Sequence, residues 1–177
     1  YKEPAFLYGG LLLALGAGLL AAAPELIWFA LALLTLFLVN LYYARTNNER
    51  ALANDLAAVV MFSSVVFPVA HLGGGDVLGR APDMFALSIL YFAGTVFYVK
   101  TVIRERNNPR YYMYSVVYHL AAGAAAAILI DWRFVFLFLV LTARAAAFPK
   151  LGFTPKKTGI TEFIFSVLVL ACAVLFA

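Results

Sequence analysis

Polar residues fall in short clusters along this chain, and the stretches between them are apolar on every face. Seven such runs follow one another, at about 5–23, 25–44, 51–72, 82–103, 111–130, 132–148 and 158–177. A helix that crosses the hydrocarbon layer of a bilayer, about 30 Å thick, needs about 20 mostly apolar residues. Each run therefore predicts one transmembrane helix, and the whole chain predicts a single all-α polytopic bundle. The breaks have a local chemistry. Pro24 follows Ala23 and precedes Glu25, a place where proline suits the first turn of a new helix better than the interior of an old one. RTNNER closes the second run, three glycines at 73–75 close the third, and RERNNPR closes the fourth. Asp131 divides the fifth run from the sixth, and PKLGFTPKK divides the sixth from the seventh. No soluble domain, linker or low-complexity segment interrupts the pattern.

Composition agrees with the pattern. Of 177 residues 65% are apolar and 12% are charged, against roughly 45–50% and about 25% in soluble domains. A soluble fold of this length could not hide that much apolar surface. The formal charge of +4 comes from 13 Lys and Arg against 9 Asp and Glu. The cations lie in short loops, which excludes a nucleic-acid groove.

Sorting the cations by loop gives a topology. Lys2, Arg45, Arg50, Lys100, Arg104, Arg106, Arg110, Arg144, Lys150, Lys156 and Lys157 fall on one side of seven alternating crossings, and only Arg80 and Arg133 on the other. Loops rich in Lys and Arg stay in the cytoplasm. The expected setting is thus a bacterial cytoplasmic membrane, with the residue 1 side inside and the C-terminus outside. Tyr42, Tyr43, Tyr98, Tyr111, Tyr112 and Tyr114 would form an aromatic belt at the inner boundary. The chain opens on Tyr1-Lys2-Glu3-Pro4, which reads as the end of a polar loop, so further residues are expected before it.

A few polar groups lie inside the runs, where an ionisable side chain costs about 2.5–3.5 kcal/mol at the centre of the layer. Asp55, beside Asn54, is one turn into the third run, Lys100 is near the end of the fourth, Arg144 near the end of the sixth, and Glu162 one turn into the seventh. At 1.5 Å per residue, all lie about 5–7 Å below the inner boundary. Two acids and two bases can therefore meet in one internal layer. They can fasten four helices as salt bridges, or line a chamber open to the cytoplasm that holds an anionic head group, with Lys100, Arg104 and Arg106 at its mouth. Arginine forks match phosphate oxygens, which favours a phosphate or diphosphate there. His119 is expected deeper, on one face with Ser115 and Ala122, as a packing histidine or a quinone contact. The small residues Ala121-Ala122-Gly123-Ala124 allow a close helix approach around it. Asn40 is expected to bond across to another helix.

Other apparent motifs carry no chemistry. The glycines 73–75 lack the lysine and hydroxyl of a phosphate loop. His71 and His119 are on different helices at different depths and do not make a ligand pair. Ser63 and Ser64 have no nearby base. Cys172, the one cysteine, sits in an apolar run as a packing thiol. No metal ligands and no cofactor motif stand out.

Three stretches, VNLYYARTNNERALANDLAAVV (39–60), FAGTVFYVKTVIRERNNPRYYMYSVVYHL (92–120) and KTGITEFIFSVLVLA (157–171), resemble the YwiC-like family of bacterial integral membrane proteins. Members of that family begin with a further segment carrying an HGAW-type motif, which implies two more helices and nine in all. Nine helices with a polar cytoplasmic face are similar to the UbiA superfamily of membrane prenyltransferases. By that resemblance VKTVIRERNNP stands where the superfamily's second acid motif holds magnesium on a prenyl diphosphate. Thr101 and Glu105 take the positions of its aspartates, amid Lys100, Arg104, Arg106 and Arg110. Magnesium would be expected only if the chain is a prenyltransferase.

The leading expectation is a UbiA-like bundle that binds an isoprenoid, a quinone or a phospholipid-type amphiphile. Asn54, Asp55, Lys100, Arg104, Glu105, Arg144 and Glu162 would line its head-group end, with Tyr118 and His119 along the tail path. The alternatives are an accessory subunit packed on other membrane subunits of a respiratory or photosynthetic complex, and a prenyltransferase.

Overall fold

The structure is a computed structural model and describes residues 2–176. These residues are helical, with no strand among them. The helices are α1 (Lys2–Ala22), α2 (Ile27–Arg45), α3 (Leu52–Ser63), α4 (Val66–Leu72), α5 (Ala81–Ile103), α6 (Pro109–Leu129), α7 (Phe134–Ala147) and α8 (Pro155–Phe176). Pro24–Leu26 and Phe148–Leu151 are 3₁₀ turns that lead into α2 and out of α7. Six spans are long and apolar enough to cross a bilayer: Pro24–Arg45, Leu52–Leu72, Ala81–Ile103, Pro109–Leu129, Phe134–Leu151 and Pro155–Phe176. The protein is a multi-pass membrane protein. The first run differs from the other six, because its apolar helix, Phe6–Ala22, is shorter than they are.

The third run is not the single helix that its hydropathy predicts. It breaks into α3 and α4 at Ser64–Val65, and the cause is Pro68. Proline has no N–H to give to the carbonyl four residues back. The Ser64 carbonyl accepts instead from the Phe67 N–H at 3.2 Å, the tighter 3₁₀ pattern. The Ser64 hydroxyl donates to the Val60 carbonyl at 2.7 Å and adds to the bend. Asn40 also departs from expectation. Its side-chain N–H₂ donates to the Leu36 carbonyl of its own helix at 3.0 Å rather than to a neighbour.

Helix α5 is the hub, with α3, α4, α6 and α8 packed around it; α7 lies between α6 and α8, and α2 packs on α3. The core is one buried cluster of Leu87 and Tyr91 from α5, Ala122 and Ala126 from α6, Phe134, Leu137, Phe138 and Leu141 from α7, and Val169 from α8. A second, smaller cluster of Tyr98, Val102 and Ala145 lies nearer the loops that carry most of the cations. Small residues at Ala122, Gly123 and Ala126 let α6 and α7 approach closely. A Cβ placed on Gly123 would lie 2.8 Å from the Phe138 Cβ. Helix α1 shows mostly exposed side chains and touches the turn Pro24–Leu26.

The far end of the bundle is tied by Arg133. Its Nε and Nη2 donate to the two Asp131 carboxylate oxygens at 2.8 Å each, and Nη2 also donates to the Phe176 carbonyl at 3.1 Å. The guanidinium lies 4.8 Å over the Phe176 ring, so one side chain joins the start of α7 to the end of α8. These hydrogen bonds hold the Asp131 carboxyl down at about 2, below its ordinary 3.8. A depressed carboxylate stabilises the fold above its ordinary range, and that share is lost as the pH falls through the folded value. Asp131→Asn should therefore unfold earlier than the parent at pH 5–7, and the two melts should converge as the pH approaches about 2. The difference should be small and should shrink with salt, because the pair is solvated. Thermal melts in detergent across that range check it.

Candidate functional site

Every turn of α5 from residue 91 to 102 places a residue on one face, and that face is where the buried polar groups gather. Tyr91, Thr95 and Tyr98 follow the i, i+4, i+7 spacing of a helix stripe. A matching stripe on α8, Thr158, Glu162 and Ser166, packs against it. The Tyr91 and Ser166 hydroxyls lie 3.0 Å apart, and the Thr95 hydroxyl donates to Glu162 Oε2 at 3.1 Å.

At the centre is Arg144 of α7, whose side chain is 0% exposed. Its Nη1 donates to Glu162 Oε1 at 2.7 Å and to Oε2 at 2.9 Å. Its Nη2 donates to His119 Nε2 at 3.2 Å. The guanidinium is sandwiched between aromatic rings, 4.4 Å from the centre of Tyr98 and 4.9 Å from that of Phe165. This arrangement stabilises a buried cation with a full counter-charge and two π faces. The tautomer of His119 follows from its partners. Its Nδ1 lies 2.6 Å from the Ser115 carbonyl, which can only accept, so Nδ1 carries the hydrogen and Nε2 accepts from Arg144.

A second pair stands at the loop end of α5. Lys100 is buried, and its Nζ donates to Asp55 Oδ2 and to the Arg50 carbonyl, both at 2.7 Å. Asp55 belongs to the first turn of α3, so this pair clamps α3 and the preceding loop to α5. A cavity of about 300 Å³ opens beside it, lined by Asp55, Thr95, Lys100 and Arg104 and by the apolar Val96, Val99 and Ile103. Thr95 joins the two sites, since it borders the cavity and bonds the carboxylate that Arg144 holds.

The structure thus divides the residues that the sequence placed in one layer. Asp55, Lys100 and Arg104 share the cavity. Arg144 and Glu162 form a closed pair behind it, reached through Thr95. Arg106 is not at the mouth of this cavity, because the chain turns after Ile103 and carries Arg106 to a different cavity beside Pro149 and Lys150. Asn54 donates to the Glu49 carbonyl at 2.8 Å and caps the loop before α3. Glu105 accepts from the Asn108 amide at 2.9 Å and closes the α5–α6 turn. Tyr118 packs on Phe97, ring centres 5.1 Å apart with the planes tilted by 37°. His119 borders a separate, apolar cavity of about 190 Å³ between α6 and α7, but both ring nitrogens are engaged, which leaves none for a quinone oxygen. His119, expected deeper than the charged layer, is reached by the long Arg144 side chain at 3.2 Å.

Thr95 and Phe165 are participants that the sequence reading missed, and Tyr98, expected in the aromatic belt, is buried over the Arg144 guanidinium instead. The signal was the pair of matching polar stripes on α5 and α8, visible only when the two helices are known to be neighbours.

The acid pair that the UbiA resemblance would require is not formed by the residues at those positions. Thr101 is buried, and its hydroxyl donates to the Phe97 and Tyr111 carbonyls. Glu105 is occupied by Asn108. No group of three or more His, Cys, Asp or Glu side chains that could hold a metal is assembled among the described residues. These residues do not fit magnesium.

Comparison with known proteins agrees with the reading of the three stretches. Residues 1–70, which include the first stretch, match the model of a family described as YwiC-like protein. Over 154 residues the chain is 41% identical to Uncharacterized protein YwiC of Bacillus subtilis (strain 168), covering 86% of this chain and 64% of that protein. The chain is YwiC-like. A second relative, an Uncharacterized protein of Haemophilus influenzae (strain ATCC 51907 / DSM 11121 / KW20 / Rd), is 31% identical over 144 residues, covering 78% of this chain and 58% of that protein. The YwiC-like chain therefore spans less than two thirds of the length of either relative. No solved structure matches it.

Proposed function

We propose that this YwiC-like bundle binds one anionic amphiphile, of phospholipid or isoprenoid type, in the cavity between α3 and α5. The supporting observation is the make-up of that cavity. Lys100 and Arg104 bring cations to it at the loop end of α5 beside Asp55, and Val96, Val99 and Ile103 give it apolar surface. A head group with a negative charge suits the first, and an acyl or prenyl tail suits the second. Lys100 is committed to Asp55 and the Arg50 carbonyl, whereas Arg104 makes no ion pair among the described residues. Arg104 is therefore the contact for the head group, and the Asp55–Lys100 pair fixes the geometry around it. In this reading the loops that hold Arg45, Arg50, Arg104 and Arg106 face the cytoplasm of a bacterial inner membrane, where anionic lipid is available to them. On this reading the scaffold is UbiA-like, a helical bundle with a polar cytoplasmic end.

Native mass spectrometry of protein purified in mild detergent tests the reading. The parent should carry one tightly held amphiphile per chain. Arg104→Ala removes the head-group contact and Val99→Trp fills the apolar wall. Each should reduce occupancy by about tenfold, the loss of one charge-assisted hydrogen bond or of the space for a tail. With lipid removed from both proteins, Arg104→Ala should unfold at the same temperature as the parent, since that side chain is exposed. Full occupancy in both variants would refute the assignment.

A further inference from the structure

We propose a second anion site, separate from the α3–α5 cavity, in the cleft between the α5–α6 turn and the turn that follows α7. The cleft has a volume of about 520 Å³ and takes Arg106, Asn107 and Asn108 from one turn and Pro149 and Lys150 from the other, with Tyr112 as its wall. Two interhelical turns that are far apart in sequence thus bring two cations to one concave space, and no carboxylate lines it. Neither cation is neutralised elsewhere, for Arg106 and Lys150 are in no ion pair among the described residues. Like charges brought together without an acid repel one another, and an anion between them relieves that repulsion.

Each cation has a defined neighbour at the cleft. Arg106 lies against Gly152, which adopts φ +67; a Cβ there would come within 2.7 Å of Arg106 Nη2. Glycine at 152 therefore serves the turn and leaves room for the guanidinium. The Lys150 ammonium lies 5.7 Å from the centre of the Tyr112 ring. That ring is itself fixed, because the Tyr112 hydroxyl donates to the Ala146 carbonyl at 3.0 Å. The first turn of α6 forms the floor, with Asn108 capping the Arg110 N–H at 3.1 Å, and the positive end of a helix dipole adds to the field. Two cations, the Asn107 amide and a helix start suit a phosphate group, whose oxygens accept from an arginine fork and an ammonium together. The phosphate can be that of a lipid head group at the membrane surface or a free phosphate from the aqueous side. The site stands on residues that the α3–α5 cavity does not use, so it does not depend on the reading above.

The experiment has two arms, each run on the parent, on Arg106→Gln/Lys150→Gln, and on Lys156→Gln/Lys157→Gln as an equal loss of charge outside the cleft. One arm titrates inorganic phosphate and pyrophosphate into protein in a neutral detergent and reads heat or thermal shift. The other reconstitutes the protein in nanodiscs of phosphatidylcholine with one fifth phosphatidylglycerol, and counts retained phosphatidylglycerol by native mass spectrometry. The parent is expected to bind in at least one arm. The Arg106/Lys150 variant should weaken that binding by more than tenfold, while the Lys156/Lys157 variant stays within twofold of the parent. Loss in the first arm identifies a free phosphate, and loss in the second a lipid head group. Absence of binding by the parent in both arms, unchanged binding in the Arg106/Lys150 variant, or an equal loss in the Lys156/Lys157 variant would overturn the proposal.

Discussion

Arg144→Met is expected to destabilise the protein by about 3–5 kcal/mol, the usual cost of removing one partner from a buried ion pair. Methionine keeps much of the volume, so the loss is electrostatic rather than a cavity. Glu162 would keep only the Thr95 hydroxyl as a partner, and His119 Nε2 would lose its donor. Tyr98 and Phe165 would still close over the position but would no longer face a cation. Glu162→Gln alone should cost a similar amount, because it leaves the guanidinium without its counter-charge. The double variant Arg144→Met/Glu162→Gln should recover much of the loss, since residues in one network are strongly non-additive. Unfolding in detergent, by heat or denaturant, measures all three. Additive losses in the double variant would show that the two side chains act independently. A ligand held at Arg144 predicts a different result, namely loss of bound lipid with folding intact.

Gly123→Ala is expected to cost about 1–3 kcal/mol, the range for forcing extra volume into a close-packed contact. The new Cβ would meet the Phe138 Cβ at 2.8 Å, well inside the roughly 3.5–4.0 Å at which carbon atoms rest together. Helices α6 and α7 must then move apart along the most extensive interface in the bundle. The clash is with a Cβ, so shortening the neighbour does not relieve it. Phe138→Ala in the Gly123→Ala background should therefore add its own cavity cost instead of rescuing the variant. Rescue would show that the phenyl ring, not the backbone approach, sets the spacing. The separation of α6 from α7 should also weaken the bond between His119 and Arg144, because each helix carries one of the two.

How much of this was readable beforehand depends on the element. The runs between about 82 and 148 were plain, because twenty apolar residues between polar turns have one economical solution in a bilayer. The run at 51–72 is one span, Leu52–Leu72, but its break into α3 and α4 was not legible, since hydropathy does not register the missing N–H of Pro68. Gly123 was visible as part of a small-residue stretch, although its partner Phe138 was not. Asp55, Lys100, Arg144 and Glu162 were picked out by the cost of charge in an apolar run. Their pairing was not, because depth along a helix says nothing of which helix stands opposite. Thr95 carries no such cost, as single hydroxyls in a membrane helix are common, and Tyr98, expected in the aromatic belt, is instead buried against Arg144.

The sequence by itself determined that this protein is helical, lies in a membrane and carries a few charges that need a reason. Those properties follow from free energies of transfer, which are local and additive along the chain. Tertiary structure decided which faces touch. Membrane helices are apolar nearly all round, and the hydroxyls of Tyr91, Thr95 and Tyr98 on α5 do not say which helix stands opposite them. Only the packing brings Arg144 to Glu162 and His119, leaves Arg104 at an open cavity, and carries Arg106 across to Lys150.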